Sequence, residues 1–440
     1  MDMSETDEAA LGRATMTKAS WRILPLIAVG YGIAYMDRIN ISFAAAKMNE
    51  DLHFSAAIYG LGGGLFFLSY ALFEVPSNML LARFGARRWI ARIMVTWGIL
   101  AVAMMFVRTP IQFYSVRFLL GLAEAGFFPG VVFYLGQWFP AAYRSRAISR
   151  FYVALPVSQI VMGALAGVLL GLHGRLGLAG WQWLFLVEGL PAVIVGVVIL
   201  FLLPDKPGDV NWLSAAQKGW IETQLARDAA FAGHQDHNFW KALTHPVVLM
   251  LGAINFLYLG AFYAFNLSAP MLLGQAAHLN PAQAGYLIAA GGVAGAVAMI
   301  AAGWHSDLRN ERYLHLTFAA IAAAACYGLM AHTSIPILVM GAYVALVCFN
   351  NVTNAVFWTV PGQLLPAASA AVSLAAINSI GQMGSFFAPY AWGLAKDATG
   401  SFQLGLSLLP VPFLIGAAIF LYMRARRPLA VSPALAVSSA

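Results

Sequence analysis

Apolar residues in this chain fall in long uninterrupted blocks, with the polar residues gathered between them. A block of about 20 apolar residues is long enough to cross a bilayer as an α-helix, and a helix satisfies its own backbone hydrogen bonds where no water can. Twelve such blocks are expected, near 21–43, 56–81, 89–107, 111–138, 148–172, 181–203, 246–272, 283–304, 313–331, 334–361, 370–395 and 402–423. The predicted fold class is an all-α membrane protein with twelve transmembrane helices. One polar connection, 204–245, is far longer than the others and carries Asp205-Lys206-Pro207-Gly208-Asp209 and a predicted amphipathic helix near Ser214–Arg227. It divides the chain into an N-terminal tail at 1–20, a six-helix half at 21–203, the central loop at 204–245, a second six-helix half at 246–424 and a C-terminal tail at 425–440. The first tail, with Asp2, Glu5, Asp7 and Glu8, lacks the basic start and cleavage site of a signal peptide and is expected to be disordered.

Composition supports the membrane reading: 61% of the 440 residues are hydrophobic, 10% are charged, and the mean hydropathy is +0.74. The net charge of +7 does not point to nucleic acid, because the basic residues punctuate the spans instead of forming a patch. If both termini are cytoplasmic, the inner connections hold 19 Lys and Arg and the outer ones only Lys47, Arg108, Arg175 and Lys396. That is the positive-inside bias, and it favours an even number of spans. The two cysteines, Cys326 and Cys348, both fall in predicted spans and offer neither a disulfide framework nor metal spacing.

Against this background, charge inside the spans needs a reason. Arg117 and Glu124 lie seven residues apart in the fourth block, so a helix sets them on one face about 10 Å apart. The first block carries Asp37 and Arg38. Intramembrane ionisable groups normally face a bundle interior or a water-filled cavity. Adjacent residues diverge on a helix, so Asp37 and Arg38 need other partners. Similar depth allows Asp37 to pair with Arg117 and Arg38 to answer Glu124. Two ion pairs that merely hold the spans together are the structural alternative, but buried pairs are often replaceable by apolar residues without loss of stability, which favours a functional reading.

The second half has almost no charge within its spans. Asn255, Tyr263, Asn266, Asn350, Asn351, Asn354, Asn378 and Gln382 are its polar groups. Tyr263, Asn378 and Gln382, with Tyr35, Tyr70 and Gln159 of the first half, are candidate hydrogen-bonding residues for a substrate, alongside the arginines Arg38 and Arg117. Phe357 and Trp358 could form an aromatic wall. Glu74 and Glu188 are assigned gate or structural roles, and Pro129, Pro270 and Pro361 are expected to kink long helices. Glycines at 163, 167 and 171 in the fifth span and at 291 and 295 in the eighth predict that these helices pack closely against each other across the halves.

Two connections read alike: Asn78-Met-Leu-Leu-Ala-Arg83-Phe-Gly85-Ala-Arg87-Arg88 and Gly303-Trp-His-Ser-Asp307-Leu-Arg309-Asn-Glu311-Arg312. Both resemble the loop signature Gly-x-x-x-Asp-Arg-x-Gly-Arg-Arg of the major facilitator superfamily, and the 6+6 layout resembles that fold, two pseudo-symmetric halves closing on a site near the midplane. The resemblance implies a cytoplasmic gate built on Arg83, Arg87, Arg88, Asp307 and Arg312. The first copy departs from the signature in having Ala82 where an aspartate is usual.

A narrower resemblance follows from Tyr35-Met-Asp37-Arg38-Ile-Asn40, Glu74-Val-Pro76-Ser77-Asn78, Arg88-Trp89-Ile-Ala-Arg92, Arg117-Phe-Leu-Leu-Gly-Leu-Ala-Glu124-Ala-Gly-Phe-Phe-Pro129-Gly130, Trp138-Phe-Pro140, Trp181-Gln-Trp183-Leu-Phe-Leu-Val-Glu188-Gly189 and Asn378-Ser-Ile-Gly381-Gln382. These are similar to the anion:cation symporter family, and most of all to its carboxylate permeases for phthalate, tartrate, hydroxyphenylacetate and sugar acids. The resemblance implies uptake of a small organic anion with protons across a bacterial inner membrane. It also implies that Asp37 and Glu124 are the protonatable pair and that Arg117 binds substrate. Exporters of this fold often carry Gly-Pro in the fifth helix, which is absent here.

Enzyme chemistry finds no support. There is no His-Glu-x-x-His, phosphate-cradling loop or Cys-x-x-Cys, and His234 and His237 stand alone in the central loop. The expected partners are therefore a small organic anion, protons and membrane lipid, with no cofactor, no metal and no nucleic acid, and the chain is expected to act as a monomer. An anion exporter and a transporter-like sensor are the alternatives.

Overall fold

The structure, a computed structural model, describes residues 5–232, 243–309, 311–365 and 370–426. Residues 233–242 of the central loop, which include His234 and His237, and the tail from 427 lie outside the described residues, as does the side chain of Asp307. No strand occurs among the described residues, and ten helices are each long and apolar enough to cross a membrane. The protein is a multi-pass integral membrane protein.

The helices are α1 (Glu5–Leu52), α2 (Ala56–Phe84), α3 (Ala86–Ala103), α4 (Pro110–Glu124), α5 (Phe127–Trp138), α6 (Ala141–Tyr152), α7 (Ala154–Leu170), α8 (Gly180–Leu202) and α9 (Ala215–Ala232). After the central stretch come α10 (Pro246–Asn266), α11 (Ala269–Ala276), α12 (Pro281–Arg309), α13 (Tyr313–His332), α14 (Pro336–Phe357), α15 (Pro361–Leu364), α16 (Ala370–Thr399), α17 (Gln403–Leu408) and α18 (Pro410–Ala425). Three predicted spans are thus split into shorter helices at the points where their prolines were expected to kink them. The break lies just before each proline, not at it. Pro129 is in the first turn of α5, Pro270 is second in α11 and Pro361 opens α15. A first turn tolerates proline because its N–H has no intrahelical partner anyway.

The break after α4 is made by Gly126, whose φ of 85° is left-handed and natural only to glycine. A Cβ there would also lie 2.5 Å from Ser77 Oγ on α2. This turn ends α4 directly after Glu124, so the carboxyl sits at a helix C-terminus, which disfavours negative charge unless a cation answers it.

The N-terminal segment differs from expectation. Residues 5–20 are not disordered but continue α1, a helix of 48 residues and so about 72 Å long, more than twice the ~30 Å hydrocarbon core. Its first turns lie on α9: Gly12 faces Trp220 so closely that a Cβ would be 2.4 Å from the indole, and Thr15, Met16 and Ala19 are buried. Glu8 accepts from Gln224 at 3.1 Å and pairs with Arg227 at 3.5 Å. The acidic start conceals a run of small helix-forming residues, Ala9, Ala10, Leu11 and Ala14, that needs only a partner surface to fold. The amphipathic helix expected near 214–227 is that partner. It starts with a reciprocal cap, Gln217 N–H to Ser214 Oγ at 3.2 Å and Ser214 N–H to Gln217 Oε1 at 3.1 Å.

Buried apolar residues form one cluster from Val248 to Met423 and two others drawn mainly from residues 16–221 and 41–185. The two groups of helices meet along two seams, α2 with α16 and α7 with α12. Along the first, α2 glycines lie on α16 carbonyls: a Cβ at Gly60 would be 2.2 Å from the Pro389 oxygen and one at Gly64 2.4 Å from that of Phe386. Asp397 caps the start of α2, accepting from the Ala56 and Ala57 N–H groups at 2.9 and 2.8 Å. The second seam is the helix pair predicted from glycine spacing. The contacting residues differ on one side, however. Gly163 and Gly167 face Gly285 and Ala282, whereas Gly291 and Gly295 turn toward Tyr343 and Asn351 of α14. Spacing gave a flat face, but α12 has small residues all around, and its rotation is decided by what packs behind it.

Candidate functional site

The charged residues of the spans converge between α1, α2, α4 and α8, beside α10 and α16. Arg38 of α1 pairs with Glu124 at the end of α4 through Nη2 and Oε1. Glu124 is 1% exposed and its Oε2 has no partner. The Arg38 guanidinium also stands 5.6 Å from the ring centroid of Phe66 and 5.2 Å from that of Tyr70. Arg117 reaches Phe66 as well, at 4.8 Å, so the two arginines share one aromatic side chain. A ring quadrupole attracts a cation more strongly when water is excluded.

The expected partnership of Asp37 with Arg117 is not formed. Arg117 instead donates from Nε to the Gly62 carbonyl at 3.3 Å and from Nη2 to that of Gly63 at 3.5 Å. These are backbone oxygens of α2 glycines. Asp37 is buried, accepts from Asn40 Nδ2 at 3.1 Å, and has no partner for Oδ2. Arg117 remains close enough to act on its charge.

The neutral candidates divide. Gln159 of α7 donates to the Tyr35 hydroxyl at 3.1 Å, joining α7 to α1, and its side chain lies on Gly292 of α12. Tyr70 is buried beside Arg38. The Tyr263 ring is tilted against that of Phe67 with centroids 4.1 Å apart, which brings it from α10 to α2 beside Phe66 and Tyr70. Asn378 donates to Glu74 Oε2 at 3.3 Å. Gln382, one turn further along α16, is buried with its Oε1 free of partners. Phe357 and Trp358 touch each other at the end of α14, and Trp358 donates to Asn354.

Three members of the cluster were missed or given another place. Phe66, between the arginines, is four residues before Tyr70, a spacing that puts both on one helix face and was readable. Glu74 lies near Arg38 and Tyr70. Glu188 of α8 is 3% exposed and lies near Asp37 and Asn40 of α1. No spacing within one helix announces these last two, because their neighbours come from other helices.

The gate candidates are braced within their own group of helices. Arg87 meets Asp205 through Nε and through its backbone N–H, each at 3.1 Å. Asp205 thus supplies the carboxylate that Ala82 does not. Arg83 lies beside the Phe84 ring, and Arg88 is exposed. Arg312 donates to Ser306 at 2.8 Å, and the adjacent Glu311 pairs with Arg424 at 3.4 Å.

A bundle of long apolar helices with a buried cluster of acids and arginines near its inter-group seams defines a membrane transporter. The sequence matches the model of the Major Facilitator Superfamily over residues 27–389, and the chain belongs to that family. Among its relatives is a putative tartrate transporter of Agrobacterium vitis, 40% identical over 94% of this chain and 92% of that protein. A quinolone resistance transporter of Acinetobacter baumannii is 38% identical over 90% and 92%. The fold is shared with a bacterial homolog of the human lysosomal transporter Spinster, crystallised in an inward-facing and occupied conformation. That match has a TM-score of 0.72 at 18% identity and covers 93% of this chain and 98% of the other.

Proposed function

We infer that the protein is a secondary active transporter that takes up a small organic anion together with protons by alternating access. The observation carrying this reading is the buried Arg38–Glu124 pair set beside Arg117 and Asp37. An arginine fork holds a carboxylate bidentately and cannot deprotonate. A substrate carboxylate that recruits Arg38 or Arg117 leaves a buried acid without its cation, and such a group takes a proton instead. Asp37 and Glu124 are the proton carriers in this scheme. Arg38, Arg117, Tyr35, Tyr70, Gln159, Tyr263, Asn378 and Gln382 hold the anion. The putative tartrate transporter supports a carboxylate substrate, of the sugar-acid, tartrate-like or aromatic kind.

The scheme uses twelve spans in two six-helix halves, with α1 and α16 added to the ten apolar helices. Both are longer than a bilayer requires, at 48 and 30 residues, and each carries the polar groups that function needs. Both termini lie in the cytoplasm of a bacterial cell, the chain acts as a monomer in the inner membrane, and the gate residues Arg83, Arg87, Arg88, Asp307 and Arg312 close its cytoplasmic side.

Uptake of a panel of radiolabelled carboxylates into proteoliposomes, with and without an inward proton gradient, tests the reading in the native chain and in Asp37→Asn. Gradient-driven accumulation that Asp37→Asn abolishes, with counterflow retained, supports it. Should no carboxylate accumulate while inverted vesicles take up a quinolone or other drug, the export suggested by the resistance transporter relative replaces it.

A further inference from the structure

Tyr59 of α2 lies outside the site described above and is buried, yet its hydroxyl joins the two groups of helices. It stands 2.7 Å from the carbonyl oxygen of Leu267, at the break between α10 and α11, and 3.1 Å from that of Ile41 on α1. A phenol carries one proton, so it serves one of these acceptors at a time, and the shorter contact is the one that crosses between the groups. Ile41 offers the same proton a place within the first group. The hydroxyl can therefore let go of Leu267 without being stranded in an apolar interior, where an unpartnered donor is costly.

The surroundings tie this contact to the charged cluster. Gly63, one turn after Tyr59, presents bare backbone to the Leu267 side chain, and a Cβ there would lie 2.8 Å from Cδ1. The carbonyl oxygens of Gly62 and Gly63 are the ones that hold Arg117. One turn before Arg117 on α4, Phe113 lies on Gly62, where a Cβ would be 2.1 Å from its ring, and stacks on Tyr59 with centroids 6.4 Å apart and planes at 13°. The arginine and the phenol thus grip the same short stretch of α2, one from the site and the other from its contact with the second group. Asp397 of α16 fixes the start of that stretch through the Ala56 and Ala57 N–H groups. Toward the opposite end of the bundle, the pairs Arg87–Asp205 and Glu311–Arg424 each stay within one group.

We propose that Tyr59 is the outer latch of the transport cycle, a positioning residue that keeps the outer side shut while Arg117 rests on the α2 glycines and lets it open when the hydroxyl passes from Leu267 to Ile41. Arg117 braces the segment that Tyr59 fastens, so the residue that meets the anion also sets the strength of the closure. The proposal rests on the alternating-access reading and its topology, but its test needs neither substrate nor transport.

Spin-label distances measured on the full chain in lipid nanodiscs test it, in a background with Cys326→Ala and Cys348→Ala. One preparation carries labels at Glu50 and Gln275, across the latch end, and a second carries them at Ala142 and Ala425, at the opposite end; all four positions are exposed. Tyr59→Phe removes only the hydroxyl. It should shift the population about fivefold toward the longer Glu50–Gln275 distance, as loss of one buried hydrogen bond does, and toward the shorter Ala142–Ala425 distance. Arg117→Lys, which has no fork to span two carbonyls, should move both distances in the same sense. Tyr258→Phe deletes a hydroxyl that has no hydrogen-bond partner in the second group and should change neither.

Native distributions in Tyr59→Phe overturn the latch, and so does lengthening at Glu50–Gln275 alone, which is local loosening without a switch. Native distributions in Arg117→Lys overturn the link to the site. Should Tyr59→Phe fail to fold, Gly63→Ala, which presses on Leu267 from beside the hydroxyl, decides by the same two distances. Latch shifts as expected in a protein that accumulates no carboxylate would reject uptake and leave the latch standing.

Discussion

Glu74 of α2 and Asn378 of α16 are 304 residues apart in sequence and share a hydrogen bond of 3.3 Å across the seam between the two groups of helices. It joins the charged side of the site to the neutral side. Nearby the same seam is formed by backbone contacts of glycine, which cannot break one at a time, whereas this side-chain bond can.

Asn378→Leu should therefore weaken uptake more than its size change warrants. A hydrogen bond to a charged group contributes about 1.5–3 kcal/mol, equivalent to roughly tenfold or more. Initial-rate kinetics in proteoliposomes should place the loss in both KM and kcat, and Asn378→Asp, which sets two acids together, should recover only at low pH.

Removing one member of the Arg38–Glu124 pair strands the other. Arg38→Leu alone should destabilise the purified protein by about 3–5 kcal/mol, seen as a lowered Tm in detergent. The double variant Arg38→Leu/Glu124→Leu should regain most of that stability while remaining inactive in uptake. Recovery of transport in the double variant would show that the pair is structural only.

The α7–α12 crossing separates two kinds of glycine on one helix. Gly285→Val inserts bulk 2.1 Å from the Gly163 carbonyl and should abolish transport by wedging the seam. Gly291→Ala meets the Tyr343 ring edge at 3.2 Å and Val347 at 3.5 Å and should retain at least half the native rate. Equal damage from both would contradict the observed rotation of α12.

Trp220 is the side chain on which the N-terminal extension lies. Trp220→Ala should loosen residues 5–20 and α9 together, with about 3–5 kcal/mol of local packing lost, and limited proteolysis should then cut before Trp21 in intact vesicles. The exposed Glu8–Arg227 pair is worth under about 1 kcal/mol, so Glu8→Gln should leave the digestion pattern unchanged.

Much of this arrangement was legible because charge in an apolar block is conspicuous. Asp37, Arg38, Arg117 and Glu124 identified themselves, and Arg38–Glu124 was the pairing left over once depth had matched Asp37 with Arg117. Asp37–Arg117 failed because the competing acceptors were backbone carbonyls at Gly62 and Gly63, which sequence does not display as polar. The glycine pattern found the right pair of helices and the wrong face of one, since spacing states that a face is flat but not where it points. Glu74 and Glu188 were visible as residues and invisible as members of the cluster, their neighbours lying on α16 and α1.

The length of α1 has a practical consequence. One helix, with Pro25 inside it, carries Asp37 and Arg38 and also the first turns lying on α9, so a label on those turns sits on the same helix as both charges. A fluorophore at Ala9, paired with one at Ser401 beyond the end of α16, would report the tilt of that helix in a single molecule during turnover, without a probe placed anywhere near the acids themselves.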